Sequence, residues 1–242
     1  DVDSLYFLRF PAAARRMKNA RALLFGGGNL LQDATSRRSL AYYLALLRQG
    51  RRCGCRTLLY GAGLGPLSAH GWEKCAAALN ECADTIVFRE RESLAAAREH
   101  GVKAPELVLG ADGALETDVS AAPKEDVLLV CPRQGRGAPP FPAEYARAAA
   151  ALGAKRGWKV RYVAMNVRQD LPLCRALAKE TGGEAIEAPE DTAALTRLFA
   201  AAQFTVSMRL HALTLSYLAG TPVLGINGDG RIAAFAAECG IP

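Results

Sequence analysis

An α/β protein of two doubly wound domains is what this sequence predicts, and three observations carry the prediction. Short leucine-rich or β-branched runs alternate with alanine-rich segments of helical period, the pattern of βα units around parallel sheets. The alternation lapses over Asp118 to Asp126, a polar stretch that contains Pro123, and then restarts. The chain has 242 residues, half of them hydrophobic, which is enough for two separate cores. The domains are therefore placed at residues 1–120 and 121–242.

The first strand is expected at Ala22 to Phe25, followed by a glycine-rich turn, Gly26-Gly27-Gly28-Asn29. Ser36 then stands where a cap is needed for a helix near Ser39 to Leu47. A second strand, Arg56 to Tyr60, runs into the turn Gly61-Ala62-Gly63-Leu64-Gly65-Pro66 and a helix near Trp72 to Cys82. The third, Thr85 to Phe88, leads to a helix at Glu92 to His100. Glu90 and Glu92 suit its start electrostatically, and His100 beside Gly101 suits its end. A strand at Leu107 to Leu109 closes this half. Beyond the hinge, strands are expected at Val127 to Cys131, Val160 to Ala164, Phe204 to Val206 and Val223 to Ile226. The helices between and after them lie near Ala143 to Lys155, Leu171 to Thr181, Thr192 to Ala201, Ala212 to Leu218 and Ile232 to Cys239. Ligands of such sheets bind at the carboxyl ends of the strands, so the domains are expected to face each other across a cleft lined by those loops.

Composition excludes several classes. No apolar run approaches the roughly 18 residues of a membrane span, and the most apolar stretch, Ala212 to Ile226, is broken by Gly220 and Pro222. The net charge of +6 is shared evenly, with 16 basic and 13 acidic residues up to residue 121 and 14 and 11 after it. The pairs Arg15-Arg16, Arg37-Arg38 and Arg51-Arg52 have no interleaved aromatic residues, so they read as solvated faces or phosphate contacts, and no nucleic-acid partner is expected. The mild basic excess suits small anionic substrates or an acidic membrane surface. Seven cysteines without a Cys-x-x-Cys pair, and only three histidines, argue against a disulfide framework and against a zinc site; Cys53-Gly54-Cys55 reads as a reduced pair. The chain opens at Asp1 rather than Met, so the natural N-terminus is expected to be missing.

The stretch richest in chemistry is Ser207-Met208-Arg209-Leu210-His211-Ala212-Leu213, where a strand runs into an apolar helix. If the backbone is still extended there, Arg209 and His211 share a side and Leu210 turns to the core. A guanidinium offers a rigid fork to a carboxylate or phosphate, the helix start adds free N–H groups, and His211 stands as proton donor beside a bound anion. Against this stands a structural reading in which Arg209 pairs with a carboxylate and His211 caps or packs. Arg89 lies just past a strand end and is expected to point to the cleft, while Asp112 and Arg133, past strand ends on either side of the hinge, are expected to reach the cleft or to form an interdomain ion pair. Gly26-Gly27-Gly28-Asn29 lacks the spacing of a dinucleotide fingerprint and the ending of a P-loop, and reads as a close approach to a ligand or a tight turn; Gly61-Ala62-Gly63-Leu64-Gly65-Pro66 begins a Gly-x-Gly pattern that Pro66 interrupts, and reads as a cleft wall in preference to a nicotinamide site.

Taken in order, four segments resemble the polysaccharide pyruvyl transferase family. They are Gly26-Gly27-Gly28-Asn29-Leu30-Leu31-Gln32-Asp33-Ala34-Thr35-Ser36, Gly63-Leu64-Gly65-Pro66, Phe88-Arg89-Glu90-Arg91-Glu92-Ser93 and Met208-Arg209-Leu210-His211-Ala212-Leu213. The resemblance implies two Rossmann-like domains in a glycosyltransferase-B-like arrangement. It also implies transfer of pyruvate from phosphoenolpyruvate to a sugar of a lipid-linked cell-wall polysaccharide precursor, as a 4,6-type cyclic ketal, with release of phosphate. On the family's motif His211 is the acid, while Arg209 and the backbone at Leu210 grip the donor with Arg89 and Arg133. Gly26, Gly27, Gly28, Asn29, Gln32, Asp33, Glu90, Asp112 and Asp229 are the acceptor or cleft-lining candidates. No cofactor and no metal is implied, and the expected location is cytoplasmic, peripheral at the inner membrane face. The segment Asn227-Gly228-Asp229-Gly230-Arg231 departs from the family's Tyr-Asp-Pro-Lys, keeping only an acid and a base. Two other functions stay open: a glycosyltransferase using a nucleotide sugar, and a non-catalytic glycan- or anion-binding module.

Overall fold

A computed structural model describes residues 10–34, 36–119, 121–135, 139–226 and 230–241. The chain forms two compact units, Asp1–Gly113 and Ala114–Pro242.

Unit 1 runs α1 (Phe10–Met17), β1 (Ala22–Phe25), β2 (Gly28–Leu31), α2 (Arg37–Arg52), β3 (Arg56–Leu64), α3 (Ala69–Cys82), β4 (Thr85–Phe88), α4 (Arg91–Glu99) and β5 (Glu106–Leu109). Its sheet is parallel in the order β1-β3-β4-β5, and β2 also pairs with β3. β1 lies along Arg56 to Leu59 and β2 along Ala62 to Leu64, so the two are one interrupted strand beside β3. This differs from expectation: the glycines read as loops, and β3 was expected to end at Tyr60. Both strands instead continue past an irregularity at which the backbones of Gly27 and Gly61 come together. A Cβ on Gly27 would lie 3.4 Å from the Gly61 carbonyl oxygen, and Gly61 itself has φ 64°.

Ser36 caps α2, its side chain accepting the Ser39 amide at 3.2 Å, and Ser68 caps α3 in the same way through the Gly71 amide at 3.1 Å. Leu40, Leu44 and Leu47 follow the helical period and bury one face of α2 in a core with Leu59, Leu79, Ile86 and Phe88. Each such side chain contributes roughly 1.5–3 kcal/mol when removed from water.

Unit 2 contains β6 (Val127–Cys131), α5 (Ala143–Arg156), β7 (Lys159–Ala164), α6 (Val167–Thr181), β8 (Glu184–Glu187), α7 (Thr192–Ala201), β9 (Phe204–Ser207), α8 (Leu210–Leu218), β10 (Val223–Gly225) and α9 (Gly230–Cys239). Its parallel sheet has the order β10-β9-β6-β7-β8. The chain therefore starts at the central β6, winds outward through β7 and β8, then returns to the other side for β9 and β10, as in a Rossmann-like fold. All five residues of β6 are buried, the continuous apolar run demanded of a strand covered by helices on both faces. Gly157 and Gly182 end α5 and α6 in the left-handed conformation at φ 75° and 74°. The unpredicted elements include α1, β2 and β8, the last being a short strand with a glutamate at each end. Among the described residues no helix is long and apolar enough to cross a membrane.

Candidate functional site

The order of sheet 2 reverses between β6 and β9, and the loops leaving these two strands open side by side at their carboxyl ends. The Met208 amide donates to the Cys131 carbonyl at 3.0 Å, which ties the loop after β9 to the end of β6. Arg209 follows as the N-cap residue of α8, extended at φ −111° and ψ 119°, with its amide donating to Ser207 Oγ at 2.8 Å. The helix begins at Leu210, two residues earlier than expected. Arg209 and His211 are therefore not neighbours on an extended strand; His211 stands in the first helical turn, exposed, and Leu210 is half-buried. No side chain caps α8 and no acid lies in its first turn, so its start carries the uncompensated positive end of the helix dipole.

Arg209 is gripped from one side. Its Nε donates to Asp170 Oδ2 at 3.1 Å and its Nη2 to Oδ1 at 2.5 Å. Asp170, in the first turn of α6, is fully buried, while the Arg209 side chain keeps 21% of its surface exposed. The same carboxylate accepts the amides of Gln134 at 3.0 Å and Asn166 at 2.8 Å. The reading in which Arg209 pairs with a structural carboxylate thus describes one edge of the guanidinium. The Nη1 edge has no partner among the described residues. Arg133 is half-buried in the loop after β6 and has a partner of its own. Below this mouth the Cys131 and Cys174 thiols are driven up by burial, Cys174 to about 12, so both are neutral packing groups.

Apart from Asp229, the remaining predicted residues gather in unit 1, at the carboxyl ends of its own strands. Arg89 is 4% exposed in its side chain; its Nη1 donates to Asp112 Oδ2 at 3.0 Å and its Nη2 to Asn29 Oδ1 at 2.5 Å. Its Nε faces Glu90 Oε2 at 3.3 Å without hydrogen-bond geometry. Asn29 in turn donates to the Gly65 carbonyl at 2.9 Å, and Glu90 accepts from Ser93 Oγ, which itself accepts the Leu64 amide. Arg89 was expected to point outward as an anion donor. The structure makes it the buried hub of a network that binds β2, β3 and β4 to Asp112.

Asp33 belongs to a separate pair. It accepts the Ser68 hydroxyl and, at 2.9 Å, the Ser68 amide, and those hydrogen bonds hold its carboxyl below the usual carboxylate range. Gln32 is half-buried and partnered, Gly26 and Gly27 form the break between β1 and β2, and Gly28 opens β2. Asp229 lies outside the described residues. Among the described residues no cluster of His, Cys, Asp or Glu is arranged to hold a metal ion.

Sequence reasoning missed Asp170, and it gave Ser207 and Ser93, both inside segments it singled out, no role. Asp170 resembles any acid in the first turn of a helix, and its burial under three loops has no local signature.

Solved structures share the architecture at low identity. The chain matches a putative UDP-N-acetylglucosamine 2-epimerase from Listeria monocytogenes at a TM-score of 0.64 and 13% identity, covering 98% of this chain and 66% of that one. It matches S. aureus MnaA, solved with UDP, at 0.60 and 13%, covering 98% and 73%. Anabaena HepE, in complex with UDP and glucose, matches at 0.57 and 13% over 92% of this chain, which spans 63% of the length of that protein. These likenesses carry the fold class, α/β with Rossmann-like parallel sheets of the glycosyltransferase-B-like kind. Among curated proteins none matches the chain. A family model, however, covers residues 3–230, and on that match the chain belongs to the polysaccharide pyruvyl transferase family.

Proposed function

We propose that the protein transfers the pyruvyl group of phosphoenolpyruvate to two hydroxyls of a sugar in a lipid-linked cell-wall polysaccharide precursor. The product is a 4,6-type cyclic ketal, and phosphate is released. The observation that carries this reading is the guanidinium of Arg209, held along one edge by Asp170 beside an uncapped helix start and the exposed His211.

The donor carries a carboxylate and a phosphate. The open Nη1 edge of Arg209, the first-turn amides at Leu210 and His211, and Arg133 supply charge and directed N–H groups to such an anion. His211, as imidazolium, gives its proton to the methylene carbon, C2 becomes electron-deficient, and a sugar hydroxyl adds there and loses its proton. Phosphate leaves with the C2–O bond electrons, and the neighbouring hydroxyl closes on C2 as its proton passes to the medium. Of the unit 1 candidates Asp33, Glu90 and Asp112, Glu90 and Asp112 are both engaged by Arg89, so we assign the acceptor contact to Asp33, whose ionised form the Ser68 hydroxyl and amide favour. Gly26, Gly27, Gly28, Asn29 and Gln32 line the same end of sheet 1 as Asp33. This chemistry calls on no cofactor. An acceptor of this kind places the protein in the cytoplasm, at the inner face of the membrane.

The test is phosphate release from phosphoenolpyruvate with lipid-linked disaccharide precursors as acceptors. Release that requires both partners, with a ketal on the glycan, is the expected result. The same fold holds UDP in HepE and MnaA. Turnover of a UDP-sugar without phosphoenolpyruvate would therefore replace this reading with a nucleotide-sugar transferase.

A further inference from the structure

We propose that Asp170 is the positioning residue of this site, acting through Arg209. The inference rests on the reading of Arg209 as the donor-binding cation. An acid in the first turn of a helix ordinarily faces solvent and favours the dipole. Asp170 is fully buried instead, and each of its oxygens receives two hydrogens. Oδ1 takes the Gln134 amide and Arg209 Nη2; Oδ2 takes the Asn166 amide and Arg209 Nε. One carboxylate thereby joins the connections that follow β6, β7 and β9, the three strands at the centre of sheet 2.

The consequence for Arg209 is orientation. A guanidinium is planar and rigid, so a carboxylate seated on Nε and Nη2 fixes where the opposite Nη1 edge points. The pair also offsets a cation that would otherwise oppose the positive end of α8. The loop that delivers the Gln134 amide is equally constrained. Gly135 has φ 143°, a conformation that residues with a side chain rarely adopt, and the Gln169 side chain from the first turn of α6 lies against it, with Oε1 2.9 Å from where a Cβ would stand. Asp170 touches neither donor nor acceptor in this account; it sets the direction of the group that does.

The experiment is a double-mutant cycle read by calorimetric titration with phosphoenolpyruvate, using the unmodified protein, Asp170→Asn, Arg209→Ala and the double variant, with melting temperatures in parallel. Asp170→Asn keeps the shape and removes the charge. It is expected to weaken phosphoenolpyruvate binding by about tenfold or more, and to add no further loss once Arg209 is alanine. Additive losses, or unchanged affinity in Asp170→Asn, would overturn the proposal. If Asp170→Asn does not fold, Arg209→Lys serves. It keeps Asp170 and the positive charge but cannot seat one edge and present another, so binding should weaken comparably, and unchanged affinity overturns the proposal. Failure of the functional reading has a different signature: the unmodified protein binds phosphoenolpyruvate and follows the cycle, yet releases no phosphate with any glycan acceptor. An unmodified protein that does not bind phosphoenolpyruvate overturns both.

Discussion

Gly63 and Arg89 meet across a space that only a missing side chain leaves open. A Cβ at position 63 would sit 3.1 Å from Arg89 Nη2 and in overlap with Asn29 Oδ1, at the point where those two groups bond to each other. A glycine one residue from the end of β3, which weakens the strand intrinsically, is the condition for the buried arginine network of unit 1.

Gly63→Ala should therefore break the Arg89–Asn29 bond rather than merely stiffen β3. A loss of about 1–3 kcal/mol in unfolding free energy is expected, the usual cost of overpacking. Urea titration compared with Gly54→Ala, a position with open space around it but a φ of 75°, separates the two causes: the first should also shift the Asn29 side-chain amide resonances, the second should not.

Arg209→Ala should affect stability as well as binding. It removes two of the four donors to a fully buried carboxylate, and a loss of up to about 3 kcal/mol is expected from leaving that charge underpaired. A melting temperature equal to that of the unmodified protein would show that Asp170 is hydrated or protonated at no cost.

Asp33 titrates from below the usual carboxylate range because the Ser68 hydroxyl and amide hold its ionised form. The folded value is lowered from 3.8, so this contribution is complete above that pH and is lost as pH falls through the folded value. In Ser68→Ala the Asp33 carboxyl, followed by NMR, should titrate at higher pH than in the unmodified protein. An unchanged midpoint would mean that the hydroxyl contributes nothing.

The buried thiols act at the other end of the scale. Burial raises Cys131 and lifts Cys75 and Cys174 to about 12, against 9.0 for a free thiol. Above pH 9 the unfolded chain sheds these protons while the folded chain keeps them, so stability should fall as pH rises from 9 towards 12. Urea midpoints at pH 7.5 and 10 test the direction. In the native protein a thiol reagent should reach the half-buried Cys53 and Cys239 well before Cys75, Cys131 or Cys174.

How much was legible beforehand follows from what each residue does locally. β6 is a bare apolar run, Ser36 is a cap followed by a helix of regular period, and both were read directly from the residues. β2 was hidden because three glycines signal a turn, and their pairing with β3 depends on a second glycine irregularity more than thirty residues away. β8 was hidden because glutamates at both ends of a four-residue strand mask its two central apolar positions. In the candidate site, Arg209 and His211 were visible as a motif, but their geometry was not. Arg209 takes its direction from Asp170, thirty-nine residues earlier, and such a pairing exists only once β7 and β9 flank β6. The same reasoning placed Arg89 at a strand end correctly and missed that three side chains already surround it.

The most direct test of the central claim is steady-state phosphate release from phosphoenolpyruvate, with a lipid-linked disaccharide acceptor, by the unmodified protein and by His211→Ala. His211 is exposed in the first turn of α8, so its removal should leave the melting temperature unchanged. Phosphoenolpyruvate binding should change little, while kcat should fall by about 100-fold or more, the range expected for loss of a general acid. A His211→Ala protein that turns over at the unmodified rate would contradict the account.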